Sequence, residues 1–155
     1  MDVDGDPKLH GSAFVDAFVE KSYRDRLHLE LQWRNVPTRR IERRGRFLGR
    51  FNHDALKYLD SRFVVPIEPP NSDPSVIRQV LVRMGAPDTC CAISSADAID
   101  DRILPLSEAL AVAVGFGMPT ILSCVPGRLA YLETEQVVGP PDRYVLIRSL
   151  SFRGP

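Results

Sequence analysis

Thr89-Cys90-Cys91-Ala92-Ile93 is followed by the acidic stretch Ser94-Ser95-Ala96-Asp97-Ala98-Ile99-Asp100-Asp101. An apolar segment from Pro105, closed by Gly115 and Gly117, leads into Thr120-Ile121-Leu122-Ser123-Cys124-Val125. The order of these runs decides the fold. Two short apolar runs on either side of about three helical turns have the spacing of a βαβ crossover, whose strands are parallel. Pro105 suits a first helical turn and Glu108 the positive helix end, while Leu106, Leu110, Ala113 and Val114 make one apolar face. After the second run, Pro126-Gly127 suits a type II turn, so a loop wider than a two-residue hairpin is expected before Leu129.

Upstream, Asp73 and Pro74 open a helix with Val76, Ile77, Val80, Leu81 and Met84 at helical spacing, and Gly85 stops it. Pro69-Pro70-Asn71-Ser72 reads as a stiff linker (69–72) inside one domain, and Pro66 confines Phe63 to Ile67 to a sheet edge. Asn52 is the expected cap of a short helix through Ala55, Leu56 and Leu59. From Arg39 to Phe51 the period is two, with Ile41, Phe47 and Phe51 on one parity and Arg44, Arg46 and Arg50 on the other. That predicts one or two strands, weakened at Gly45 and Gly49. Leu27, Leu29, Leu31 and Trp33 also alternate with polar residues and predict a half-buried strand. Ser12 is the expected cap of a helix carrying Phe14, Val15, Phe18 and Val19 to about Arg24, which leaves 1–11 as a polar tail. Downstream, Gly139-Pro140-Pro141-Asp142 turns into a last strand from Tyr144 to Leu150.

The expectation is a mixed α/β chain of the α+β class, with 12–155 as a single domain. Its central sheet would have about five to seven strands and contain one βαβ unit, beside about three to four helices. A chain of 155 residues, 44% hydrophobic and 26% charged, buries a core of its own. No run of about 18 apolar residues spans a membrane, and the acidic start is unlike a secretory signal, so a cytoplasmic location is expected. The three cysteines have neither a disulfide pattern nor zinc spacing, and no cofactor or metal is expected.

Formal net charge is zero. Between Arg34 and Arg62, however, nine basic residues face three acidic ones. Were the crossover parallel, both following loops would lie at one sheet edge, where open α/β sheets bind ligands. Ser94, Ser95, Asp97, Asp100 and Asp101 would then approach Ser123, Cys124, Gly127 and Arg128, a set able to hold a hydrated cation or an anion. The same residue types also make turns and caps. Cys124 has no base nearby in sequence, since His10, His28 and His53 lie far upstream, so a buried structural thiol is expected. Arg44, Arg46 and Arg50 are expected on an exposed face over a buried Phe47, a surface for nucleic acid or for an acidic protein.

No catalytic constellation or phosphate-binding glycine pattern is legible. The leading expectation is a small non-catalytic protein that binds a protein partner, of the accessory, regulatory or toxin-neutralising type found in bacteria; self-association is compatible with it. The alternatives are a small-molecule enzyme built on the 94–101 and 123–128 loops and a nucleic-acid binder built on 39–51.

Overall fold

The computed structural model describes residues 5–31 and 37–148, leaving aside the side chains of 37–41. Helix α1 (Pro7–Phe18) starts where Asp6 accepts the Lys8 amide at 2.9 Å and proline occupies the first turn. The tail expected to reach residue 11 is therefore helical from Pro7, and Ser12 lies within the helix. His10, Gly11, Phe14, Val15, Ala17 and Phe18 form its buried face.

Two segments read as strands are helices. In α2 (Arg24–Leu31) the buried residues are Leu27 and Glu30, and Leu29 points outward. The alternation of leucines was coincidental, and leucine, glutamate and arginine are strong helix formers. In α3 (Pro37–Gly49) and the turn that ends it, Arg44, Phe47, Leu48 and Phe51 are buried, the i, i+3, i+4, i+7 spacing of a helix face. A Cβ at Gly45 or Gly49 would meet nothing, because both lie on the open side. Trp33, and Ser149 and Leu150 of the last expected strand, lie outside the described residues.

The next helix, α4 (Ala55–Tyr58), is preceded by Asp54 at the cap position in place of Asn52. Then come β1 (Val64–Pro66), α5 (Pro74–Arg83), β2 (Thr89–Ser94), β3 (Ile103–Pro105), α6 (Leu106–Ala113), β4 (Thr120–Val125), β5 (Leu129–Glu133) and β6 (Arg143–Ile147). Asp73 caps α5 through the Ser75 amide, as its sequence indicates. The strands form one sheet in the order β1-β6-β5-β4-β2-β3, and every pairing is antiparallel. Pro66 sits in edge strand β1, where its missing N–H costs no ladder bond.

The expected parallel pairing of 90–93 with 120–125 is corrected: β2 and β4 are antiparallel, with Cys91 opposite Ser123 and Ser94 opposite Thr120. Between them Ile103–Pro105 returns along β2 as a short edge strand. The helical crossover therefore joins β3 to β4, which run parallel to each other with β2 between them. With α2 and α3 added, the helices number six among the described residues, against three to four expected. The α+β class and a six-stranded sheet in one domain stand.

Both sheet faces are covered. Phe14, Phe18, Phe47 and Phe51 pack against Ile93, Ile121, Leu132 and Leu146 on one side. Ile77, Leu81, Leu106 and Leu110 pack against Ala92, Leu122, Tyr131 and Val145 on the other. Double coverage explains why the strands read as near-continuous apolar runs and do not alternate.

One charged pair is sealed at the end of this sheet. Glu133 accepts from Arg143 Nε at 2.7 Å, from Tyr131 Oη at 2.8 Å and from the Gly115 amide at 3.0 Å. Arg143 also donates to Asn71 Oδ1 at 2.7 Å, and Asn71 Nδ2 donates to the Ile67 carbonyl at 2.7 Å. Burial, reinforced by the neighbouring carboxylate, raises the Tyr131 hydroxyl well above the ordinary tyrosine range. Removing one partner strands the other charge away from water, so Arg143→Met should cost about 3–5 kcal/mol in urea unfolding at neutral pH. Tyr131→Phe, which deletes one donor, should cost only about 1–2 kcal/mol. Similar losses for the two variants would contradict this account of the pair.

Candidate functional site

The two loops expected to meet do not. Ser94 stands opposite Thr120, at the start of β4, whereas the 126–128 turn follows its far end. The length of β4, about 17 Å at 3.3 Å per residue, separates them. The shared site of Ser94, Ser95, Asp97, Asp101, Ser123, Cys124 and Arg128 is not assembled.

Each of these residues has a local role or lies open. Ser94 Oγ is 2.8 Å from Thr120 Oγ1 and accepts the Ala96 amide at 3.0 Å. Ser95 and Asp97 are exposed. Asp100 accepts the Ser94 amide at 2.9 Å and Arg44 Nε at 3.1 Å, while Asp101 Oδ1 is 3.3 Å from Arg44 Nη2. Asp101 has φ of 59°, a left-handed turn that aspartate tolerates better than most residues. At the far end, the Arg128 amide donates to the Val125 carbonyl at 2.9 Å and Gly127 has φ of 69°, consistent with a type II turn. Three residues separate the paired Val125 and Leu129, so the loop is wider than a two-residue hairpin. Arg128 itself is exposed.

Ser123 points to the α1 face, where His10 Nδ1 lies 2.6 Å from its Oγ. Sequence distance hid this contact: His10 fell in the expected tail, 113 positions away. Both residues are buried beneath α1, which the bond ties to β4. Cys124 points to the opposite face, among the residues packed under α5 and α6. Burial pushes its thiol up to about 12, and pushes Cys91 to about 12 and Cys90 in the same direction.

The arginine segment is not the continuous cationic face expected. Arg46 is exposed, but Arg44 is buried on Asp100 and Asp101. Arg50 is half-buried and holds both Glu30 oxygens, at 2.8 and 2.7 Å. That hydrogen-bonded carboxylate raises the Arg50 guanidinium further above its usual value. Phe47 is buried, as its spacing indicates.

What the structure does expose is apolar. Phe116 and Met118, in the loop after α6, are 41% and 40% exposed; Val137 and Val138, in the loop after β5, are 64% and 90% exposed. The Gln136 amide donates to the Gly117 carbonyl at 3.1 Å and joins the two loops at one end of the sheet. The Glu135 amide donates to the Asn52 carbonyl at 3.3 Å, and His53 Nε2 lies 3.0 Å from Glu135 Oε2, which fixes the second loop to the α3–α4 turn. Large apolar residues set among glycine and proline, as in Gly115-Phe116-Gly117-Met118-Pro119 and Val137-Val138-Gly139-Pro140, were a signal present in the sequence. They fall outside any helical or strand period, so no core position accounts for them.

Among the described residues no group of three or more histidine, cysteine or acidic side chains is arranged to hold a metal ion. No helix among them is long and apolar enough to cross a membrane. Compared with models of known families, with curated proteins and with solved structures, the chain matches none.

The thiol environments give a direct expectation. With pKa values near 12, Cys91 and Cys124 hold roughly a thousandfold less thiolate near neutral pH than free cysteine. All three cysteines should alkylate slowly in the native protein and quickly in urea, read residue by residue by mass spectrometry. Fast native labelling confined to Cys124 would show an activated thiol and refute the structural role.

Proposed function

We propose that the protein acts by binding a protein partner through the surface formed by Phe116, Met118, Val137 and Val138. The observation that carries the reading is their clustering: four large apolar side chains exposed on two mutually bonded loops. Contiguous exposed apolar surface on a folded chain marks interaction sites, whereas single exposed hydrophobics are ordinary. The other large exposed apolar residues are spread over α2, α4, β1 and the α5 region. The loops are also held in place, by Gly115 on Glu133 and by Glu135 on Asn52 and His53, so little ordering entropy is lost on docking.

An accessory, regulatory or toxin-neutralising role fits such a surface, in a cytoplasmic setting. The arginine segment supports nucleic-acid binding less well, because two of its three candidate side chains are occupied by carboxylates.

The double variant Met118→Asp/Val138→Asp tests the reading. Both positions are exposed, so the unfolding free energy should move by no more than about 0.5 kcal/mol per site. After cross-linking in cells that make the protein, a partner held by the wild type and by Arg46→Ala should be lost from the double variant. Identical sets of cross-linked proteins from all three would reject the proposed surface.

A further inference from the structure

We infer that the groove between α2 and α3 binds a small organic molecule carrying a phosphate group. The groove, about 370 Å³ in volume, is lined by Arg26, Leu29 and Glu30 from α2 and by Arg43, Arg46 and Arg50 from α3 and the turn that ends it. Residues three, four and seven positions apart share one face of a helix, so the two helices present these six side chains to each other's flank. The charge stays positive after every pair is counted. Glu30 is the one acidic residue of the lining among the described residues, and it is taken up by Arg50, whose Nε and Nη2 donate to its two oxygens at 2.8 and 2.7 Å. Asp25 and Glu42, the other acids of the two helices, are exposed and lie outside the lining. The side chains of Arg26, Arg43 and Arg46 form no ion pair or hydrogen bond among the described residues. The groove uses no residue of the apolar docking surface, so the inference is independent of that reading.

Arg43 carries the observation that points to a ligand. It is half-buried, and its Nη1 is shut off from solvent without an acceptor among the described residues. Its charge is thus neither paired nor fully hydrated, a state that destabilises the folded chain and that an anion in the groove would relieve. Guanidinium forks match phosphate oxygens two at a time, and the exposed Arg26 and Arg46 bring two more forks to the same groove. Three unpaired arginines suit the three terminal oxygens and roughly two negative charges of a phosphate monoester better than the single charge of a carboxylate. Clefts of about 300–1,000 Å³ take small molecules, and Leu29, 53% exposed, offers apolar surface to the organic part. Positions 43 to 50 cover only about 10 Å at 1.5 Å rise per residue, too short a strip to track several nucleotides of a strand.

The test is an amide-shift NMR titration of the full chain with inorganic phosphate and with phenyl phosphate, the ionic strength being held constant with chloride. Both should shift the amides of 26–30 and 43–50 to saturation, phenyl phosphate several-fold more tightly because its ring packs on Leu29. Arg43→Met should weaken phenyl phosphate roughly tenfold without lowering the urea midpoint, since it removes a donor that folding leaves unpaired. An arginine with a structural role only would show the reverse. Arg26→Gln/Arg46→Gln, at two exposed positions, should weaken binding by a similar factor and leave the protein folded. Leu29→Ser should bring phenyl phosphate down to the affinity of inorganic phosphate. Shifts confined to other amides, shifts that chloride reproduces, or affinities unchanged in the arginine variants would overturn the site. A short oligothymidylate bound at these amides far more tightly than phenyl phosphate would show a nucleic-acid surface and overturn the small-molecule assignment.

Discussion

Glu133 is a carboxylate removed from water, and much of one end of the sheet is arranged to satisfy it. Leaving such a charge unpaired costs several kcal/mol, so a buried carboxylate persists only where donors surround it. Here they come from β6, from β5 itself and from the residue that ends the α6 turn, while Asn71 holds the arginine from the other side. One side chain thereby links the 67–71 connection, both hairpin strands and the exit of α6. The consequence for function is positional. Gly115 and Glu133 stand at the roots of the two loops that expose Phe116, Met118, Val137 and Val138. Those side chains bury too little to order their own loops, and the ion pair beneath supplies anchors that hydrophobic contact does not.

The legible parts of the fold were those decided within a few residues of sequence. Asp73-Pro74 and Gly85 delimit α5 by capping chemistry, Pro66 marks an edge, and the apolar face from Leu106 identifies α6. Elements whose reading depended on a distant partner were misjudged. Glu30 and Arg44 sit on buried helix faces because Arg50 and the Asp100-Asp101 pair neutralise them, 20 and 56 positions away for the closest contacts. Without those partners a charged residue counts as an outward position, and a helical stripe then mimics alternation. Three residues of β3, Ile103–Pro105, changed the direction of everything after β2, and a run that short carries no periodicity.

Strand direction also decided the candidate site. Had β2 and β4 been parallel, their following loops would have met; antiparallel pairing puts them at opposite ends and turns most of the hydroxyls and carboxylates singled out there into turn, cap and pairing groups. The contact between His10 and Ser123 was out of reach for the opposite reason, since it joins a helix near the start of the chain to a strand near its end. Only the fold creates it. The apolar loops differ, because Phe116 and Met118 between glycines and proline contradict any core assignment on sequence alone. The absence of period there was itself informative.

Net neutrality likewise conceals where the charges sit. The chain carries equal numbers of basic and acidic residues, but several arginines are committed to internal carboxylates: Arg50 to Glu30, Arg44 to Asp100 and Asp101, and Arg143 to Glu133. Paired charges at hydrogen-bond distance present little field to solvent, so the exterior is governed by what is left over. Within the exposed apolar loops Asp142 keeps an exposed carboxylate, while Glu135 is itself paired with His53. A sum over the sequence counts both members of each pair in full, although neither contributes much to the field outside. Three arginines and the four carboxylates Glu30, Asp100, Asp101 and Glu133 are taken up in this way, and it is that pairing which allows charged residues into helix faces and the sheet end.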